Sequence, residues 1–388
     1  MRQTIPESVH RCRQRGLTLV ELMVALTVGL ILVGAVIAVF IANNGLYSTN
    51  KAVAQIQENG RFALSFLDDD IRMAGYMGCS SDAHTYNILN NSGNSYIYDF
   101  NQGLTGYEAT GTETGSLTLP EYSLTPTPAA ATTGQFNTNP DPQAPPLSST
   151  GVPFSIAGVG EPLPGNDMLI VRYANSLPLI VTAWPSIPSA NFKVANLPSY
   201  IQAGQIAVIT DCTKATVFQI TNVQTGNAIV HNSGNVVSPG NSVGSIIPGY
   251  QVGAQMEVPD AMVYYIGLGT NGQPALFKAD LNTINAPGVL TLQPEELVPD
   301  VENMQILYGV DTNNTATAST YVTADQVANW QNVVSVSIAM LMESSPGEVP
   351  IPPTAQSFDM LGLTVTAPPD TRLRRLFTTT IGLRNRLP

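Results

Sequence analysis

From Leu17 to Ala42 the chain reads LTLVELMVALTVGLILVGAVIAVFIA, an unbroken apolar run in which Glu21 is the only charge. About 20 apolar residues in a helix cross the hydrocarbon core of a bilayer, so this run predicts a membrane-spanning helix with some tilt. From Asn43 the pattern becomes one-sided. Val53, Ile56, Ala63, Phe66 or Leu67, Ile71 and Ala74 recur three or four positions apart, while Lys51, Glu58, Arg61, Asp68, Asp69 and Arg72 fall mostly on the other face. No proline interrupts residues 17–75. A single helix of roughly 87 Å is expected, its first half in lipid and its second half laid on a globular head, with Gly29 and Gly34 as the flexible points of the first half.

Periodicity fades over residues 80–165, where Asn, Gly, Ser, Thr and Pro dominate and TPTPAAATTG and NTNPDPQAPPLSSTG are of low complexity. The expectation there is a long variable insertion over the head. Its Tyr86, Tyr96, Tyr98 and Tyr107 suit packing anchors better than a recognition surface. Strand patterns follow at Asp167–Tyr173, Gln205–Thr210, Thr216–Val223, Ala261–Leu268 and Ala275–Lys278, short, β-branched or aromatic, and separated by Gly, Pro and Asn. Thr323 to Gln326 offers a capping box for a short helix through Trp330; Val333–Met342 then reads as a long strand and Leu376–Leu383 as a closing one. The fold class expected is α+β, a long helix on an antiparallel sheet.

A chain of 388 residues can bury a real core, and one elaborated head domain is favoured over two. The net charge of −12 argues against a general nucleic-acid grip, which needs clustered Lys and Arg. The one basic cluster, Arg372, Arg374, Arg375, Arg384 and Arg386, suggests strand-end charges that keep a sheet edge soluble rather than a docking patch for an acidic neighbour or DNA. Enzyme chemistry finds no foothold: the histidines are His10, His84 and His231, and there is no G-x-S-x-G, H-E-x-x-H, P-loop or dinucleotide fingerprint. Asp311-Thr312-Asn313-Asn314 lacks EF-hand spacing and reads as a turn rather than a calcium loop; no metal or cofactor is expected.

Arg2, Arg11, Arg13 and Arg15 against Glu7 place the N-terminus in the cytoplasm by the positive-inside rule, and the bulk of the chain is then exported. The apolar run is too long for an ordinary secretory signal and no A-x-A site follows it. The junction Gly16, then Leu17-Thr18-Leu19-Val20-Glu21-Leu22-Met23-Val24-Ala25, resembles the type IV prepilin family. The resemblance implies cleavage after Gly16 by a prepilin peptidase and methylation of a new N-terminus at Leu17, where the family usually has Phe. A carboxylate inside an apolar span is costly and calls for a partner. For Glu21 the resemblance implies the freed amine of a neighbouring subunit, an assembly role and not a catalytic one.

The strings Gln57-Glu58-Asn59-Gly60-Arg61-Phe62-Ala63-Leu64 and Asp70-Ile71-Arg72-Met73-Ala74-Gly75-Tyr76-Met77-Gly78-Cys79 look like minor pilins of the PilW type, as do Leu307–Asp311, Trp330 with Val333–Ile338, and Phe377 through Arg386. The organisation this implies is a pilin-like lollipop: a leader at 1–16, a transmembrane half-helix at 17–42, an amphipathic half-helix at 43–78 and a β-rich head at 79–388. Removing a leader with four Arg and one Glu, a net +3, would turn −12 into −15. Cys12 leaves with that leader, so Cys79 and Cys212 remain as an even pair in an oxidising compartment, where a disulfide is expected. The function implied is a minor pilin that helps initiate type IV pilus assembly at or near the tip, supporting adhesion, motility or DNA uptake. Implied partners are other minor pilins, the major pilin, the inner-membrane assembly platform, membrane lipid and a tip adhesin. The rivals are a J-type pseudopilin of type II secretion and, from another class, a pilus-borne adhesin binding glycans or surfaces.

Overall fold

The computed structural model describes residues 18–78, 84–90, 99–112, 115–120, 159–174, 178–185, 189–234, 237, 239–246, 249–286, 289–349 and 351–386. The chain divides into two compact units, one up to Lys51 and one from Ala52 onward. The first is the apolar part of helix α1, Leu19–Met73, which is long and apolar enough to cross a membrane. Its large side chains are uncovered; Leu30 is 72% exposed and Ile31 71%.

In the second unit α1 buries Ala52, Ile56, Gly60, Ala63, Leu67 and Ile71, a stripe at spacings of four and three that is the signature of a helix lying on a core. Two sheets receive it. One has five strands, in the order Val289–Pro299, Pro274–Ala286, Pro259–Leu268, Met168–Ala174 and Leu104–Tyr107; the other has four, Thr320–Val322, Val301–Val310, Val333–Glu343 and Arg374–Gly382. Leu67, Ile71, Val171, Tyr264, Ile306, Tyr308, Trp330, Ile338 and Ile381 meet in their shared core. A three-stranded sheet, Thr354–Met360, Leu363–Asp370 and Ser116–Thr118, covers Ala339 and Leu341 on the far face.

The remaining sheet has eight strands and its own core around Phe192, Ile209, Phe218 and Ile229. The sequence reads Gln205–Thr210 and Thr216–Val223 as part of one antiparallel sheet; the structure assigns them to this second one. The reason is topological: Met168–Ala174 pairs directly with Pro259–Leu268, Ala174 opposite Pro259, so the segment between them leaves and returns at one point. Within the expected insertion, Leu104–Tyr107 adds an edge to the five-stranded sheet, and Phe100, Leu104 and Tyr107 are buried.

The short helix expected from Thr323 is not formed. Two single 3₁₀ turns stand there, Ala324–Gln326 and Trp330–Asn332. The Thr323 hydroxyl donates to the Asp325 carboxylate at 2.5 Å instead of capping a backbone N–H, and the burial of Ala324, Val327 and Trp330 pulls the segment onto the core.

Candidate functional site

The features that fit a pilin are the two ends of α1 and the residues that hold its second end. At the first, the Glu21 carboxylate accepts from the Thr18 backbone N–H at 3.0 Å and from the Thr18 hydroxyl at 2.9 Å, while the Thr18 oxygen accepts the Glu21 N–H at 3.2 Å. This reciprocal capping box satisfies orphan donors at a helix start. The T-x-x-E signal was legible at Thr18–Glu21 and the sequence reading passed over it. Gly16 and Leu17 lie outside the described residues.

The other end is held from three sides. Gly75 adopts the left-handed conformation (φ 78°) and donates to the Arg172 carbonyl at 2.9 Å, stopping the helix. Asn385, eleven residues past the start of the closing strand, donates its side-chain amide to the carbonyls of Met73 (3.3 Å) and Ala74 (3.2 Å). The Asp70 carboxylate accepts from the phenols of Tyr173, at 2.8 Å, and Tyr264. Burial, together with Asp70, pushes both phenols upward, so they stay protonated and donate. Asp260 nearby is raised to about 6 by burial and then by Asp280 and Asp70.

Cys212 stands in the turn between the Ile206–Thr210 and Lys214–Gln219 strands at φ 70°, donates its N–H to the Thr210 hydroxyl at 3.2 Å, and is disulfide-bonded. Cys79 lies outside the described residues. Its neighbour Gly78 is described: a Cβ there would sit 2.4 Å from Thr210 Cγ2, so the chain leaves α1 against the turn that carries Cys212.

The basic cluster is corrected. Arg372 and Arg374 are neither edge charges nor a docking patch; they are buried in an ion network joining three sheets. Arg374 makes a bidentate pair with Glu302 (2.6 and 2.9 Å) and reaches Asp370 at 2.6 Å, and Arg372 bonds Glu343 and Gln273. Two guanidiniums face three carboxylates, and burial followed by repulsion from Glu302 raises Glu343 to about 8. Burial pushes Asp370 up, but its hydrogen bonds to Arg374 and Arg372 and their charges together hold it below its ordinary value. Only Arg375 and Arg384 of the cluster are exposed. Asp370 is the one partner nearby in sequence; Glu343, Glu302 and Gln273 stand 29 to 99 positions away.

Asp311 caps a turn, accepting from the N–H groups of Asn313 (2.9 Å) and Ala316 (2.6 Å). His231 packs among Phe218 (5.6 Å), Phe192 (5.8 Å) and Trp184 (6.4 Å), and burial lowers it to about 4. A cleft of about 310 Å³ is lined by Glu108, Asp167 and Asp325 among others. Its deepest carboxylate, Asp167, is committed to the N–H groups of Ala109 (3.0 Å) and Ile306 (2.7 Å). Among the described residues no three His, Cys, Asp or Glu side chains converge as a metal site would require.

Residues 11–37 match the prokaryotic N-terminal methylation motif, which makes the start of the chain prepilin-like. Residues 263–385 match type IV pilus-assembly protein W. The two segments together match those of a PilW-type prepilin-like protein, and neither family is a known enzyme family. The second match takes in most of the two sheets that receive α1, the Arg372 and Arg374 network, and Asn385; the eight-stranded sheet lies before it. No curated protein and no solved structure matches the chain.

Proposed function

We propose that this protein is a minor pilin that helps initiate type IV pilus assembly and is incorporated at or near the pilus tip. The observation that carries the reading is the pairing of a methylation motif on an uncovered apolar helix with a pilus-assembly match in the sheets that hold that helix's far end. In this reading prepilin peptidase removes residues 1–16, Leu17 becomes the methylated N-terminus, and residues 17–42 anchor the chain in the inner membrane with the head in the periplasm. The pilus then carries the head outside the cell. Glu21 binds the amine of a neighbouring subunit, an exchange that costs little helix stability because its present bonds are to its own Thr18. Cys79 bridges Cys212, tying the end of α1 to the eight-stranded sheet.

Deletion of the gene is the test. In the deletion strain loss of surface pili with normal protein secretion is expected, and sheared pili of the wild type should yield the chain shortened by sixteen residues and methylated. Normal pili with a block in secretion of folded exoproteins would transfer the chain to the pseudopilins.

A further inference from the structure

The strand Arg374–Gly382 ends its sheet, and it is an open edge. Leu383 donates to the Val334 carbonyl at 2.9 Å and Ser344 to the Leu373 carbonyl at 2.8 Å. Hydrogen-bonded pairs alternate along an antiparallel ladder, so residues 375, 377, 379 and 381 turn their backbone groups toward Val333–Glu343. Leu376, Thr378, Thr380 and Gly382 turn theirs the other way, and among the described residues no strand pairs with them.

Sheet edges are normally blunted by charge, proline, bulges or shortness. The other long edges here are: Val289–Pro299 has three breaks in register and carries Pro294, Glu295 and Glu296, while Thr354–Met360 has one break and carries Asp359. The remaining edge strands have three or four residues. Arg374–Gly382 runs nine residues in unbroken register, and from Leu376 to Gly382 it has neither charge nor proline. Of the five arginines that the sequence suggested would protect it, Arg372 and Arg374 are spent inside the head.

What remains at its ends is exposed Arg375 and Arg384, and among the described residues neither forms an ion pair. A second copy of the strand is a poor occupant: antiparallel self-pairing centred on Thr379 brings Arg384 of each copy beside Arg374 and Arg375 of the other, and parallel pairing sets like against like. The geometry points to β-augmentation by an extended segment of another protein, uncharged and β-branched in its middle and acidic at both ends, added alongside Leu376–Gly382. Main-chain bonds at 376, 378 and 380 supply the affinity and the two arginines set the ends. That no described strand pairs with this edge is an observation independent of the function proposed above.

The probe is a fluorescent synthetic peptide of alternating Val and Thr with glutamate at each end, titrated by anisotropy against full-length protein in detergent micelles, beside a twin with lysine ends. The glutamate peptide is expected to bind at least about tenfold tighter than its twin. Thr378→Pro deletes an outward N–H that serves no internal bond, so it should abolish binding with unfolding unchanged. The pair R375E and R384E should reverse the preference between peptides, which keeps the test decisive should the proline variant fold poorly. Absence of saturable glutamate-peptide binding up to about 1 mM, or wild-type binding by folded T378P, overturns the proposal. So does a dimer in sedimentation that T378P dissolves, which would assign the edge to a second copy.

Discussion

Gly60 of α1 lies under the ring of Phe377: a Cβ on Gly60 would stand 2.6 Å from Phe377 Cζ, closer than such atoms approach. The helix and the closing strand therefore touch through a missing side chain. Gly60→Ala improves helix propensity by about 1 kcal/mol, yet it forces a ring that is packed against the core to move, at about 1–3 kcal/mol. We expect a net lower unfolding temperature, restored by Phe377→Leu in the same chain. A single G60A variant that melts higher than wild type would refute the contact.

Arg374→Met should be among the most damaging single changes in the head. It leaves Glu302 buried without its partner and Glu343 with Arg372 alone, a loss of about 3–5 kcal/mol. Arg375→Met next door, at an exposed position, should stay within about 0.5 kcal/mol. Chemical unfolding of the two variants side by side checks this, and equal losses would mean that the network is not what holds the sheets.

The network also predicts a pH dependence. Glu343 has a folded value near 8, above its ordinary 4.5, so between those limits the folded state holds a proton that the unfolded state has released. Stability from this group is complete below about pH 4.5, the unfolded value, and falls as pH rises from there through 8. Asp370, held low, acts the other way and withdraws its support only in strong acid. Melting at pH 5.5 should therefore occur at higher temperature than at pH 8, with Glu343→Gln flattening the difference; a wild-type profile that rises across this window would contradict it.

The cap that Glu21 makes and the assembly role proposed for it can be separated by substitution. Thr18→Val removes the capping box and keeps the carboxylate, costing about 1 kcal/mol at a helix end. Glu21→Gln keeps much of the cap and removes the charge that an incoming amine needs. Membrane levels of both should match wild type, whereas only E21Q should be depleted from sheared pili on immunoblots. Equal incorporation would reduce Glu21 to a cap.

A bridge from Cys79 to Cys212 closes a long loop, worth roughly 5 kcal/mol in the chain-entropy account before strain. Peptide mapping without reductant should recover the two cysteines in one linked species. Recovery of both as free alkylated thiols from periplasm-exposed protein would exclude the bridge.

The stem was legible because its signals are local: twenty-six apolar residues, then a stripe at helical spacing that runs into the buried face at Ile56, Ala63 and Ile71. The strands Val333–Glu343 and Arg374–Gly382 were legible for the same reason, to within a residue or two. Two kinds of feature were not. The division into several sheets depends on which distant strands pair, and nothing in QIAVIT says that its neighbours are not those of DMLIVRY. The fates of Arg372 and Arg375 depend on which side of the strand end each faces, three residues apart in sequence and opposite in role.

The ladder that sets Ala174 opposite Pro259 makes the head a frame with a socket. Whatever is spliced between those two residues starts and finishes across a single pair of strands, so its length can change without shifting the register of Met168–Ala174 on Pro259–Leu268. Grafting a foreign domain at Ala174 and Pro259 is the engineering form of the same freedom.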